Sequence, residues 1–301
     1  VEKMKIEDVK NICVLGCGIM GSGIVQLCAG LGYNTTFYEI SDEIVKRSME
    51  RIRGSLSRAV EKGKMTKEQL EATMAKIKGT TNLKEAAANA DIVIEAIPEN
   101  LELKKKTWKQ LDEICPKHTI FASNTSSLMI TDQASATKRP EKFIGMHFFN
   151  PAHVMKLVEI IRGAVTSDET YKVIHDLAVK MGKVPVEAKD GPGFFTTRFI
   201  CYTVAEIIRL LELGIAGVKE IDTMVRLGFG WPMGPFVLAD FVGLDTIYHV
   251  LEYCYNETGN PAYKPPMLLR KMVIAGYIGD PRQKPGSRGG FYEYFNIPRE
   301  Q

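Results

Sequence analysis

At 301 residues the chain is longer than one ordinary domain and suits two. Its 45% hydrophobic and 25% charged residues are the balance of a globular protein that buries a full core, and no apolar run approaches the ~20 residues of a membrane-spanning helix. The formal net charge of +3 leaves no electrostatic footprint for nucleic acid, while allowing a local basic patch for an anionic ligand.

In chain order, short β-branched runs alternate with helical patterns. Asn11–Leu15, Thr35–Glu39, Asp91–Ala96, Thr119–Ser123 and Phe143–His147 read as strands, with helices such as Met20–Leu31 and Leu101–Ile114 between them. That alternation implies βαβ units and a parallel sheet covered on both faces. Leu157–Ile161 and Val184–Ala188 read as further strands at its edge. The stretch Asp42–Lys76 breaks the rhythm: it is charged and helical, interrupted at Gly63-Lys64 and restarted by a Thr66-x-x-Gln69 capping box. A helical hairpin projecting from the sheet is expected there, over about residues 42–78.

After Asp190-Gly191-Pro192-Gly193 the strand patterns stop. Amphipathic helices follow at about Phe195–Glu212, Lys219–Arg226, Thr246–Glu257 and Pro266–Ala275. The expected fold is therefore α/β: a doubly wound Rossmann-type sheet with its hairpin over residues 1–190, then an all-helical domain over 191–301. The opening Val1–Lys10 holds no apolar signal-peptide core. Cys13, Cys17, Cys28, Cys115, Cys201 and Cys254 form no CxxC pair and no regular spacing. They read as reduced thiols of a cytoplasmic or organelle-matrix protein rather than as disulfides or metal ligands.

Gly16-Cys17-Gly18-Ile19-Met20-Gly21 fits G-x-G-x-x-G directly after a strand and at the start of a helix. In that context Gly16 allows the tight turn, Gly18 lets a pyrophosphate approach the backbone, and Gly21 lets helix and strand pack closely. The helix N-terminus adds free N–H groups and a positive dipole end. Glu39, closing the next strand pattern, would accept hydrogen bonds from the adenosine ribose and repel a 2′-phosphate, so NAD is expected over NADP. A tight βα turn that binds nothing is the bland alternative.

Of the five histidines, only His147 ends a strand pattern on the ligand side, where an imidazole can act as a base near neutral pH. Glu159, on the neighbouring strand pattern, is placed to hold its ring. An isolated histidine is more often structural, so spacing alone leaves that role open.

Several blocks carry a resemblance. They are Val14–Gly21, Glu95-Ala96-Ile97-Pro98-Glu99-Asn100, Ser123-Asn124-Thr125-Ser126-Ser127-Leu128 and Gly145-Met146-His147-Phe148-Phe149-Asn150-Pro151. Leu157–Ile161, Asp190–Phe194, Gly234-Pro235-Phe236, Asp240–Asp245 and Gly290-Phe291-Tyr292 continue the series. Along nearly its whole length the chain resembles the L-3-hydroxyacyl-CoA dehydrogenase family, including its short-chain 3-hydroxybutyryl-CoA members. The resemblance implies NAD as cofactor, an acyl-CoA thioester as substrate, no metal, and a homodimer paired through the helical domain. His147 would be the general base, Glu159 its orienting partner, and Ser126 a hydrogen-bond donor to the substrate oxygen. SNTSS is also good helix-capping chemistry. Ile19, Met20, Ala96, Glu99, Lys104, Asn124 and Asn150 match cofactor-contacting positions, and Ser55 and Lys62 on the hairpin match positions that meet CoA.

Two departures stand out. Thr197, in Phe194-Phe195-Thr196-Thr197-Arg198, occupies the place of the usual asparagine that contacts the substrate carbonyl. Lys284-Pro285-Gly286-Ser287-Arg288-Gly289-Gly290 is longer than the usual loop, which weakens a cofactor role for Lys284. A sugar-acid or free hydroxy-acid dehydrogenase, and a non-catalytic structural relative, remain as rival readings. The second would be expected to lose His147 or Glu159.

Overall fold

The computed structural model describes residues 4–299, and its internal contacts divide the chain into two units, Val1–Gly191 and Pro192–Gln301.

The first unit is one eight-stranded sheet in the order β3-β2-β1-β4-β5-β6-β7-β8. Its strands are β1 (Asn11–Leu15), β2 (Asn34–Tyr38), β3 (Ile77–Thr80), β4 (Ile92–Glu95), β5 (Ile120–Ser123), β6 (Phe143–Phe148), β7 (Leu157–Arg162) and β8 (Val184–Lys189). The central strands β4, β5 and β6 are buried along their whole length, as contiguous apolar runs in a sheet covered on both faces should be. From β1 the order runs outward in both directions, so the β1/β4 boundary is the topological switch point. The expectation of a parallel sheet needs one correction: β7 pairs antiparallel with β6. The connection over residues 149–156 is too short for a parallel crossover, which needs roughly a dozen residues or more.

Helix α1 (Ile19–Gly30) follows β1, and α2 (Asp42–Glu61) and α3 (Lys67–Met74) form the hairpin. The Thr66 side chain accepts from the Gln69 N–H and the Gln69 side chain accepts from the Thr66 N–H, closing the capping box. The hairpin buries Ile52, Leu56, Leu70 and Met74 in the main core, so its apolar face is docked while its charges face water. It stops short of the expected end, because Ile77–Thr80 pairs with β2 as an edge strand. Four residues with a single buried apolar side chain, Ile77, after a charged helical run carry little strand signal. Gly79 is needed there, since a Cβ would lie 2.5 Å from the Phe37 ring and 2.6 Å from Val45.

Four more helices complete this unit: α4 (Leu83–Ala87), α5 (Leu101–Ile114), α6 (Ile130–Ala134) and α7 (Asp168–Lys180). Trp108 of α5 is fully buried, 4.8 Å from the Phe143 ring and 5.2 Å from the Phe121 ring.

The second unit is helical: α8 (Thr196–Glu212), α9 (Val218–Phe229), α10 (Pro235–Val242), α11 (Leu244–Thr258), α12 (Met267–Ile274) and α13 (Phe291–Tyr294). Its own core gathers Val204, Ile208, Phe236, Leu251, Leu269 and Phe291. Helices α10 and α13 go beyond the four expected from periodicity. The carboxylate of Asp222 accepts from the N–H groups of Phe236 and Val237 at the start of α10, and from the Tyr292 hydroxyl at 2.7 Å. A cap contributed from a distant helix leaves no local signature.

Candidate active site

The polar residues of the first unit collect where β1, β2, β4, β5 and β6 end, all on one edge because these strands are mutually parallel. After β1 the chain turns at Gly16, with φ +78. A Cβ there would come within 2.7 Å of the Ala96 carbonyl oxygen, and one at Gly21 within 1.8 Å of the Gly16 carbonyl oxygen. The protein's own packing therefore demands both glycines. Gly18 is different: its φ is −68, and a Cβ would meet nothing within 4 Å. Neither conformation nor neighbour requires glycine here, so the open space suits a ligand that presses on the backbone.

Helix α1 begins at this point without a side-chain cap and without an acidic residue in its first turn. Its N–H groups and positive dipole end are thus disposed toward an anion. Exposed Ile19 and half-buried Met20 open the helix, and half-buried Ala96 follows β4 beside Gly16. Glu39, one residue past β2, accepts the Cys17 N–H at 2.5 Å. From the other side Ser48 and Arg51 of α2 donate to the Cys17 carbonyl at 2.9 and 3.1 Å. The turn is held by its neighbours with its outer surface open, and an acid stands at the end of β2. These residues fit a dinucleotide.

His147 lies one residue before the end of β6, directly opposite Glu159 of β7. Opposed residues of an antiparallel pair project to the same face. His147 Nδ1 is 2.8 Å from Glu159 Oε2, and the two residues are 6% and 2% exposed. A buried carboxylate at that distance favours the tautomer with its proton on Nδ1. The Phe149 ring packs 4.6 Å from the imidazole, centroid to centroid.

Between β4 and β5 the charges form a closed cluster. Lys104 Nζ lies 2.6 Å from Glu95 Oε1, 3.2 Å from Glu99 Oε2 and 3.3 Å from the Ile97 carbonyl oxygen. Burial opposes the Lys104 charge, but the facing carboxylates of Glu95 and Glu99 outweigh it and hold the ammonium above its ordinary value. Partial burial likewise opposes ionisation of Glu99, and the Lys104 charge, with the Thr125 hydrogen bond, more than offsets it and lowers that carboxyl. Glu99 Oε1 accepts from the Thr125 hydroxyl and from the N–H groups of Ser126 at 2.9 Å and Ser127 at 3.1 Å. Asn124 donates its N–H to the Glu95 carbonyl, and its side-chain oxygen accepts the Phe148 N–H at 2.9 Å, tying β5 to the end of β6. Asn150 is exposed just beyond β6.

Ser55 and Lys62 lie two turns apart on α2 and its C-cap, on a common face. Thr197 lies in the first turn of α8, in the second unit. Lys284 donates to Asp245 and Thr246 at the start of α11, at 2.8 and 3.0 Å. Of the residues singled out in the sequence, the strand ends thus bring together His147 with Glu159, Glu99 with Ser126 and Lys104, and Asn124 with the end of β6. Sequence reasoning assigned no role to Glu95, Ser123, Ser48 or Arg51. For Glu95 the signal was an acid closing an otherwise apolar strand; Ser48 and Arg51 look like any polar residues of a charged helix.

Residues 11–191 match the family model described as 3-hydroxyacyl-CoA dehydrogenase, NAD binding domain, and residues 193–294 match its C-terminal domain. The chain is 46% identical over 287 residues to "Probable 3-hydroxybutyryl-CoA dehydrogenase" of Bacillus subtilis (strain 168), covering 95% of this chain and 98% of that one. It is 41% identical to the mitochondrial hydroxyacyl-coenzyme A dehydrogenase of Homo sapiens, covering 95% and 91%. Among solved structures, (S)-3-hydroxybutyryl-CoA dehydrogenase from Ralstonia eutropha superposes with a TM-score of 0.88 at 44% identity, covering 91% of this chain and 97% of that one. Matching both halves of the family in sequence, and built around a dinucleotide turn, the chain belongs to the 3-hydroxyacyl-CoA dehydrogenase family and is an NAD-dependent oxidoreductase.

Proposed function

We propose that this chain interconverts a short-chain (S)-3-hydroxyacyl-CoA, of the 3-hydroxybutyryl-CoA type, and the matching 3-oxoacyl-CoA, with His147 as general base. The observation that carries this reading is the buried His147–Glu159 pair at 2.8 Å. With Nδ1 turned to Glu159, Nε2 is the nitrogen through which the ring exchanges a proton with substrate. Bound NAD supplies the hydride acceptor. The chain's own part is the proton: His147 takes it from the 3-hydroxyl as C3 gives up hydride, and Glu159 stabilises the resulting imidazolium. In the reverse direction the imidazolium returns the proton to the 3-oxo oxygen. The Ser126 hydroxyl donates to that oxygen as its charge develops. Thr197 is assigned to the thioester carbonyl, and Ser55 with Lys62 to the CoA moiety, whose phosphates suit an exposed lysine.

The close similarity to relatives named 3-hydroxybutyryl-CoA dehydrogenase supports the short acyl chain. The exposed apolar side chains Leu213, Ile215, Leu227 and Phe229 of the helical unit support pairing of two copies through it. Light scattering giving the mass of a single chain would remove that part of the reading.

The test is NADH consumption on adding acetoacetyl-CoA, with free acetoacetate and NADPH as controls. Turnover that needs both the CoA group and NADH is the expected outcome. Turnover of the free acid would move the free hydroxy-acid reading forward, and none at all the non-catalytic one. Lys62→Ala should raise KM for the thioester with little change in kcat; an unaltered KM removes Lys62 from the CoA contacts.

A further inference from the structure

Lys183 stands at the corner between α7 and β8 and is 8% exposed. The corner is stiff: the Lys183 N–H donates to the Ala178 carbonyl in the last turn of α7, and the Val184 N–H donates to the Lys156 carbonyl. From this base the Lys183 ammonium reaches the loop that joins β6 to β7, 2.6 Å from the Ala152 carbonyl oxygen and 2.8 Å from that of Met155. The loop makes one helical turn here, the N–H groups of Val154 and Met155 both donating to the Pro151 carbonyl. Carbonyls at the end of a helical turn lack intrahelical partners, and a lysine side chain can donate to them. Against the turn lies α1 as well: a Cβ at Gly23 would come 3.0 Å from the Ala152 Cβ and 3.4 Å from the His153 nitrogen, and Ala152 is 1% exposed. The turn is thus held between a glycine of α1 and the ammonium of Lys183. Asn150 directly precedes it, and before Asn150 comes Phe149, whose ring packs on the His147 imidazole.

We propose that Lys183 is a positioning residue for the cofactor: by drawing the Ala152 and Met155 carbonyls to one point it fixes the turn after Asn150, and so fixes where Asn150 stands at the ligand edge of the sheet. A buried ammonium must keep its acceptors, so the turn cannot drift from Lys183 without leaving a charge unpaired. A neutral side chain of the same length would fill the space but bind neither carbonyl, and the turn could shift. The proposal rests on the reading of Asn150 as a cofactor contact.

The experiment is a double-mutant cycle of Lys183→Met and Asn150→Ala, read as the Kd of NADH by fluorescence well below the Tm of each protein, beside KM for acetoacetyl-CoA. Lys183→Met should raise the NADH Kd about tenfold, within the range of coupled contacts. KM for acetoacetyl-CoA should stay within about twofold of the parent, the scatter of independent sites. In the Asn150→Ala background, Lys183→Met should then change the NADH Kd by less than about twofold, because residues that act as one unit do not add. A Lys183→Met protein that loses Tm yet binds NADH as the parent does overturns the proposal and makes the lysine a stabilising group alone. Equal rises in NADH Kd and in KM mark a general loosening and overturn it too. Should Lys183→Met fail to fold, Gly23→Ala, which presses on the same turn from α1, takes its place in the cycle with the same outcomes. Asn150→Ala with parental NADH affinity would remove both the cofactor reading of Asn150 and the purpose of the Lys183 contact. Multiplying losses beside an impaired Asn150→Ala overturn the positioning role alone.

Discussion

A histidine at a strand end has a defined ring orientation only when something fixes it, and here the antiparallel strand β7 supplies Glu159. Cross-strand pairing puts Glu159 opposite His147 on the same face, and burial makes the carboxylate the favoured acceptor for Nδ1–H. Glu159→Gln keeps the volume but removes the charge that favours the imidazolium. With His147 as base, kcat should fall about 10²- to 10⁴-fold in both directions with NADH affinity unchanged; a loss under about tenfold would show that the ring is held by other groups. With His147 as the proton-exchanging group, His147→Gln should lower kcat at least about 10²-fold in both directions; parental turnover would dismiss the base assignment. The Lys104 ammonium, in the same way, is oriented by Glu95, Glu99 and the Ile97 carbonyl.

At the scale of elements, the β1–α1 turn separates glycines that the fold needs from one that it does not. Gly21→Ala would place a Cβ 1.8 Å from the Gly16 carbonyl oxygen, which cannot move without unmaking the turn. A loss of about 1–3 kcal/mol in stability or more is expected, visible as a lower Tm. Gly18→Ala meets open space, so Tm should hold while NADH binding weakens by at least about tenfold, or about 1.4 kcal/mol. A Gly18→Ala protein with parental affinity would show that no ligand approaches that backbone. The same reasoning applies to motif glycines of the helical unit. A Cβ at Gly234 would meet Asp222 at 2.2 Å and one at Gly290 would meet Asp240 at 1.9 Å. These glycines let buried carboxylates cap α10 and bind the Phe291 N–H, so their role is architectural.

For the molecule as a whole, two separate hydrophobic cores imply that each unit answers to its own stabilising groups. In the helical unit Arg299 donates to Glu293 at 2.6 and 2.8 Å, and the Gly290 N–H donates to it at 2.7 Å. The Arg299 hydrogen bond, acting against partial burial, pulls the Glu293 carboxyl from its ordinary 4.5 down to about 2. A depressed acid stabilises the fold fully above its ordinary value and loses that contribution as pH falls toward the folded one. The Glu293 contribution should therefore disappear between about pH 4.5 and 2. Glu293→Gln should lower stability at neutral pH and flatten the acid limb of Tm against pH in that window. An unchanged acid limb would show that the Arg299 pair adds nothing.

The sequence by itself determined the two-part α/β-then-helical architecture, the dinucleotide turn, the hairpin with its capping box, and the family. Each rests on information local to a segment: periodicity, caps, glycine spacing, and blocks such as HFFNP and SNTSS. Only the tertiary structure decided three things. It made β7 antiparallel, which sets Glu159 opposite His147. It added β3 as an edge strand and α10 and α13 to the helical unit, where packing and a cap from distant Asp222 outweigh weak local signals. And it joined buried Glu95 and Lys104 with the more exposed Glu99 in one charged cluster. A carboxylate's partner comes from whichever strand lies next to it in the sheet, and adjacency between strands is set by the fold, not by spacing along the chain.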